Sequence, residues 1–155
     1  VLPTLAQVHF AAFASRGDVA ERGATAGLAD IAAHRTIGHA AHRRQQETWD
    51  PRVLQVSLSG GPDFQTNSSA AIFEAIRTGV GIAAAPTYIA TLTDDVVMLG
   101  DGPIASVKLW LVYQRDVARI ARVRRVIDWL KAIHDPETNP WFRTEFVHPR
   151  DFPPR

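Results

Sequence analysis

The amino-acid sequence predicts an α/β fold, in which helices pack against a sheet. Stretches typical of strands recur along the chain, with amphipathic helical stretches between them. The length of 155 residues suffices for one domain with a core or for two small lobes. With 46% hydrophobic and 21% charged residues, the composition is that of a folded globular protein. Because strands and helices alternate, we predict a largely parallel sheet.

The first 66 residues contain the patterns of four strands and two helices. The strand stretches are continuously apolar or alternate between apolar and polar residues, as residues 52–59 do. Residues suited to helix caps and turns stand at the boundaries, among them Ser15, Gly23 and Thr25. The predicted strands are residues 5–14, 36–39, 52–59 and 64–66, and the predicted helices are residues 18–22 and 26–33.

The stretch TNSSAAIFEAIRTGVGIAAAP, residues 66–86, predicts a helix followed by a buried strand. Asn67 or Ser68 is suited to cap the start of the helix. Gly79 is suited to end it, because glycine tolerates the left-handed backbone conformation found there. The continuous run of small apolar residues at positions 81–85 is typical of a strand covered on both faces.

The last part of the chain predicts two more strands and the longest helix. The strands are residues 96–99 and 107–114, and a short helix at residues 88–92 precedes them. Residues 119–134 place their apolar side chains on one helical face. The segment from Asp135 onward has several prolines and aromatic residues and no periodicity.

The composition limits the classes of function. A formal net charge of +1 gives no strong attraction to nucleic acid or to a membrane. The absence of cysteine excludes a disulfide framework and thiol chemistry, and it fits a reducing compartment. No apolar run is long enough to span a bilayer, and the start shows neither an initiator methionine nor a signal peptide. We therefore expect a piece of a longer, cytoplasmic protein.

Motifs for cofactor binding and catalysis are weak. The segment Gly79–Ala84 fits the dinucleotide pattern G-x-G-x-x-A, but that fingerprint requires a strand before it and a helix after it. Here the order is reversed. The sequence also lacks a G-x-S-x-G elbow, an H-E-x-x-H motif and a P-loop. We therefore expect no cofactor and no enzymatic activity.

Histidines and arginines leave two alternatives open. His34, His39 and His42 lie near Asp30, which would allow a metal site or a small enzyme using His34 or His39 as a base. Because these residues straddle a predicted helix end, a strand and a loop, surface histidines are the favoured interpretation, and we expect no metal. The basic helix at residues 119–131 carries its charges opposite its apolar face, which favours a solvated face over a nucleic-acid-binding one.

The polar run Thr66-Asn67-Ser68-Ser69 is the strongest candidate for a binding site. It joins a predicted strand to the start of a helix, where unpaired backbone N–H groups and the positive end of the dipole favour anions. In open α/β sheets, ligands bind at the carboxyl ends of strands. An N-cap alone requires only one of these residues, so the run of donors indicates a ligand site.

Several segments, in their order along the chain, resemble the effector-binding domain of LysR-type transcriptional regulators. Residues 13–39, FASRGDVAERGATAGLADIAAHRTIGH, are similar to the family's strand ending in Ala-Ser, its short helix and glycine, and its "dLa-H-x-I" stretch. Residues 66–86 are similar to its "N-x-x-x-x-x-x-A-v-x-x-G-x-G-I-a-x-x-P" segment. VVMLGD, VKLWLVYQRD and RVRRVIDWLKAIHD resemble its closing strands and last helix. NPWFRTEFVHP resembles the C-terminal extension of one branch.

The resemblance implies two lobes with Rossmann-like sheets, as in periplasmic binding proteins, joined by crossover strands. Residues 1–13 would form a crossover strand from lobe I, and residues 14–85 the complete, effector-binding lobe II. Residues 86–155 would form the C-terminal part of lobe I and a tail. The family's N-terminal helix-turn-helix and the first part of lobe I are absent from this sequence, so we do not expect the chain to recognise an operator.

The resemblance also implies a function. A small effector, a carboxylate or an aromatic metabolite, would bind between the lobes and modulate DNA binding and transcription in a bacterium. Other partners would be DNA, through the missing domain, and further copies in a homodimer or tetramer of the full-length protein, but no membrane. A fragment of a periplasmic-type solute-binding protein is the alternative. The candidate effector-binding residues are Thr66, Asn67 and Ser68, with Ser15, Phe64 and His39 as secondary candidates.

Overall fold

A computed structural model describes residues 4–23, 31, 34–40, 61–114 and 116–154, and it shows a six-stranded sheet with helices. The strands are β1 (Thr4–Ser15), β2 (Thr36–His39), β3 (Phe64–Thr66), β4 (Ile82–Pro86), β5 (Val96–Leu99) and β6 (Ala105–Trp110). The α-helices among these residues are α1 (Arg16–Arg22), α2 (Ser69–Arg77) and α3 (Ala121–Ile133). Short 3-10 helices cover Thr87–Thr91, Val117–Arg119, Pro140–Phe142 and Pro149–Asp151.

Most of the predicted elements that fall on described residues are confirmed. The strands predicted at residues 36–39, 64–66 and 96–99 have the bounds that the structure shows. The strand predicted at residues 52–59 and most of the helix predicted at residues 26–33 lie outside the described residues, as do Asp30 and His42.

Among the described strands the sheet is mixed, with three antiparallel pairings and two parallel ones, so the prediction of a largely parallel sheet is wrong for this part of the chain. β2 pairs in parallel with β3 and with β4. β1, however, pairs antiparallel with β4, β5 and β6. A local sequence pattern indicates that a segment is a strand, whereas the direction of a strand within the sheet depends on which distant segment it pairs with. The alternation of strands and helices along the sequence therefore could not predict the antiparallel pairing of β1 with β4, β5 and β6.

β1 connects the two parts of the sheet. Its amino-terminal part, from Thr4 to Phe10, pairs with β6, and its carboxyl-terminal part lies between β4 and β5. The change of partners falls at Phe10, which lies opposite Pro86 of β4 and Ala105 of β6. With 12 residues, β1 is longer than most strands of globular proteins, because it serves both parts.

The core residues that the structure describes form two apolar clusters, one on each face of the sheet. Phe13 of β1 and Ile76 of α2 are both fully buried and belong to the cluster on the α2 side. Helix α2 contributes Ile72, Ala75 and Ile76 at the spacing of one helical face. Ala12 and Ala14 of β1 face the other way, against the second cluster. Burial of alternate β1 residues on opposite faces fixes the register of this strand.

Two glycines set the path from α2 into β4. Gly79 has a positive φ of 77° and ends the helix, as predicted, with its N–H donating to the carbonyl of Ile76 (3.0 Å). A Cβ on Gly81 would lie 2.5 Å from the carbonyl oxygen of Arg35, immediately before β2. Glycine at position 81 therefore allows the close approach of two backbones.

Candidate functional site

The carboxyl ends of three parallel strands meet at one edge of the sheet. His39, the last residue of β2, lies opposite Thr66, the last residue of β3, in the parallel ladder. β4 runs parallel to β2 and ends at Pro86, which pairs with Phe10 of β1. The three strand ends therefore lie beside Phe10, the point along β1 where pairing with β6 ends and pairing with β4 and β5 begins. Ligands of α/β sheets bind at such carboxyl ends.

Helix α2 begins directly at this edge. The hydroxyl of Thr66 accepts a hydrogen bond from the N–H of Ser68 (3.1 Å), and the hydroxyl of Ser68 accepts one from the N–H of Ala71 (3.3 Å). Ser68 is therefore the N-cap, as predicted. Within the part of the chain that the structure describes, the exposed N–H groups of Ser69 and Ala70 have no partner.

The edge offers neutral donors rather than charges. Asn67 and Ser68 are exposed, Thr66 and His39 are partly buried, and residues 64–73 contain no charged side chain. The aligned backbone dipoles of α2 add a partial positive charge at its start. This combination suits a carboxylate, a carbonyl or another hydrogen-bond acceptor of modest charge.

The predicted site residues do not all come together. Phe64 begins β3, two residues before Thr66, and its side chain is 43% exposed. Ser15 lies at the opposite edge of the sheet. It ends β1, which is antiparallel to β4, and a Cβ on Gly79 ahead of β4 would meet its hydroxyl oxygen at 3.2 Å. Ser15 is thus displaced from the level of His39 and Thr66 by four residues along the strand direction, about 13 Å.

Ser15 has a structural role at that opposite edge. It is buried, and its hydroxyl accepts a hydrogen bond from the N–H of Asp18 (3.0 Å) as the N-cap of α1. The two serines, Ser15 and Ser68, therefore cap two helices that begin at opposite edges of one sheet.

The histidine cluster considered from sequence is only partly described. His34 lies with Nδ1 3.5 Å from Oδ2 of Asp18, and both side chains are mostly buried. His39 lies at the carboxyl end of β2. Among the described residues, no group of three or more histidine, aspartate and glutamate side chains is placed to hold a metal ion.

Residues at the crossover were missed by the search for polar donors. Phe10 and Pro86 are apolar, so no binding motif marked them, yet they lie beside the carboxyl ends of the parallel strands. The family resemblance gave the one available signal, because it implied that residues 1–13 form a crossover strand between two lobes. None of the helices in the described ranges is long and apolar enough to cross a membrane.

The model of the LysR substrate-binding domain family matches residues 3–134. The chain belongs to this family. The resemblance to LysR-type effector domains seen in the sequence is therefore confirmed, and with it the fold similar to that of periplasmic binding proteins. The family comprises the effector-binding domains of transcriptional regulators, which are generally not enzymes.

Solved structures share this fold. The regulatory domain of CrgA, a LysR-type regulator from Neisseria meningitidis, has a TM-score of 0.64 and 19% sequence identity, over 85% of this chain and 68% of that one. The effector domain of AmpR from Pseudomonas aeruginosa has a TM-score of 0.63 and 16% identity, over 92% of this chain and 68% of that one. At these identities, the similarity establishes the fold alone.

A full-length relative shows how much of such a regulator the chain covers. The Vibrio cholerae virulence activator AphB matches with a TM-score of 0.61 and 17% identity, over 86% of this chain. The chain spans 48% of the length of that protein. No curated protein sequence matches the chain significantly.

Proposed function

We propose that the chain senses a small metabolite for a LysR-type transcriptional regulator, and that the effector binds at the start of α2. The observation that carries this proposal is the common level of Thr66, His39 and Pro86. These residues end three parallel strands where β1 changes partners. Family membership supports the regulatory role. The proposal includes the division that the resemblance implied, in which residues 14–85 form the effector-binding lobe II.

The chemistry of the edge determines which effectors would fit. A carboxylate or carbonyl oxygen would accept hydrogen bonds from the N–H groups of Ser69 and Ala70 and from the amide of Asn67. No cation among residues 64–73 is present to neutralise the ligand. Each hydrogen bond from these neutral donors contributes about 0.5–1.5 kcal/mol to a carbonyl and about 1.5–3 kcal/mol to a carboxylate, so we expect an affinity between about micromolar and millimolar.

The proposed mechanism is a shift between conformational states. The strand ends of β2–β4 lie beside Phe10, where β1 passes from one part of the sheet to the other. An effector that binds more tightly to one arrangement of these two parts increases the population of that arrangement. In the intact regulator, the DNA-binding domain would respond through the resulting coupling free energy, typically about 1–3 kcal/mol.

The test is the double variant Asn67→Ala, Ser68→Ala in the intact regulator. It should abolish the transcriptional response to the effector, because both side-chain donors are lost. Removal of the N-cap should cost only about 1 kcal/mol of stability, so unfolding should remain cooperative. Reporter induction and a denaturant titration would measure the two effects.

Ser15→Ala is the matched control, because it also removes a serine N-cap of a helix that follows a strand. It should lose similar stability and keep the effector response. A normal response in the double variant would contradict the proposed site. A lost response in Ser15→Ala would return Ser15 to the candidate residues.

A further inference from the structure

A cavity lies between the crossover, where β1 changes partners around Phe10, and the C-terminal segment from Asp135 onward. Its volume is about 440 Å³, within the range of about 300–1,000 Å³ that is usual for small-ligand pockets. Its walls come from β1 and β6, from the 3-10 helix that follows β4, from the end of α3, and from the 3-10 helix at Pro140–Phe142. The lining residues are Val8, Phe10, Pro86, Tyr88, Thr91, Val107, Leu109, His134, Trp141 and Phe142.

Aromatic rings dominate this lining and are already packed against one another. The rings of Tyr88 and Phe142 are 6.0 Å apart, and those of His134 and Phe142 are 4.8 Å apart. Trp141 and Phe10 provide further ring surface. Aromatic walls gain more from a planar aromatic guest than from an aliphatic one, because offset and edge-to-face contacts become available.

Two polar groups in the lining can orient such a guest. The hydroxyl of Tyr88 makes no hydrogen bond with any residue that the structure describes, although the side chain is partly buried. Nδ1 of His134 donates to the carbonyl oxygen of Leu130 (2.8 Å), which leaves Nε2 as the acceptor of the neutral ring. The lining thus combines a phenolic donor and an imidazole acceptor within apolar surroundings.

We propose that this cavity binds a small aromatic molecule carrying a hydroxyl group, at a site separate from the start of α2. The guest's ring would lie among Phe10, Trp141 and Phe142, and its hydroxyl group would accept a hydrogen bond from the hydroxyl of Tyr88. Nε2 of His134 would be a further acceptor for the guest's own O–H group. This site goes beyond the proposed effector function, since none of Thr66, Asn67, Ser68 and His39 lines the cavity.

Occupation of the cavity would join two parts of the molecule. Phe10 and Pro86 belong to the crossover, whereas Trp141 and Phe142 belong to the C-terminal segment. That segment is also attached to β1 through His9, whose Nε2 donates to the carbonyl oxygen of Arg143 (3.0 Å). A bound molecule would therefore strengthen the attachment of the C-terminal segment to the crossover strand.

The experiment is a titration of the chain with 4-fluorophenol, followed by the ¹⁹F NMR signal of the probe. We expect saturable binding in the millimolar range or tighter. Tyr88→Phe, which removes only the hydroxyl, should weaken binding about two- to tenfold, the equivalent of one hydrogen bond. Val107→Trp, which fills the cavity, should remove saturable binding.

Two matched controls test whether the same substitutions outside the cavity also change binding of the probe. Tyr113→Phe makes the same change at the chain's other tyrosine, and Val112→Trp places the same ring at a site 67% exposed. Neither residue lines the cavity, so both variants should bind the probe like the unmodified chain. The double variant Asn67→Ala, Ser68→Ala should also bind normally, which distinguishes this site from the effector site.

Absence of saturable binding to the unmodified chain would overturn the proposal. Unchanged affinity in Tyr88→Phe would overturn it as well, even if Val107→Trp does not fold. Binding that survives in a folded Val107→Trp variant would place the probe elsewhere and have the same consequence.

Discussion

The two halves of β1 differ in what surrounds them. From Ala11 to Ser15 every residue is buried, because β4 and β5 flank this half and a cluster covers each face. From Thr4 to Phe10 the strand pairs with β6; Thr4 is exposed there, and Leu5, Gln7 and Phe10 are only partly buried. The Ala11–Ser15 half is part of the packed core, whereas the Thr4–Phe10 half borders a cavity.

This difference suggests a division of roles along one strand. A packed interior resists change because each side chain has many contacts, so the Ala11–Ser15 half should provide stability. A surface that borders cavities can accept a ligand without first expelling other side chains. Phe10 lies at the boundary of the two halves, next to the strand ends where we place the effector.

The largest effect should come from Phe13→Ala. Phe13 is fully buried on the α2 side, so its removal should cost about 3–5 kcal/mol of unfolding free energy. Phe10→Ala is the same chemical change three residues earlier, at a partly buried side chain, and should cost less than half as much. Urea unfolding followed by circular dichroism would measure both. Equal losses would show that the two halves do not differ.

A smaller effect should come from Gly81→Ala. The new methyl group would lie 2.5 Å from the carbonyl oxygen of Arg35, so β4 and the start of β2 must separate, at a cost of about 1–3 kcal/mol. Gly102→Ala is the control, because a Cβ there meets nothing within 4 Å. The same urea titrations would compare them. A Gly81→Ala protein as stable as Gly102→Ala would contradict the close approach.

The smallest effect concerns pH. Burial raises the pKa of the Tyr88 hydroxyl above its ordinary value of 10.0. The folded state therefore favours the neutral phenol, and stability that is complete below about pH 10 should fall as the pH rises through the folded pKa. Melting temperatures between about pH 8 and pH 11.5 should decline less in Tyr88→Phe than in the Tyr113→Phe control. Identical declines would mean that burial does not perturb Tyr88.

Local features of the site were predictable from sequence, but their placement was not. The cap at Ser68 and the left-handed Gly79 depend on neighbouring residues, so the sequence pattern located them. Ser15 and Ser68 look alike in sequence, since each is a hydroxyl residue between a strand and a helix. Only the antiparallel pairing of β1 with β4 separates them, and that pairing joins residues more than 60 positions apart.

The contacts of the C-terminal segment were even less predictable from the sequence. Its prolines and aromatic residues have no period, so no sequence pattern indicates their partners. In the structure, the backbone carbonyls of Arg143 and Thr144 accept hydrogen bonds from the side chains of His9 and Gln7. Contacts of backbone carbonyls with distant side chains leave no mark in the residue types of the segment.

The central claim is that ligands bind at the start of α2 and not at the start of α1. The most direct test is a ¹H–¹⁵N NMR titration of the chain with acetate and with benzoate. We expect concentration-dependent shifts of the backbone amides of Ser68, Ser69 and Ala70, with those of Arg16 and Gly17 unchanged. Shifts confined to the amides of Arg16 and Gly17, or no shift at the start of α2 with either carboxylate, would contradict it.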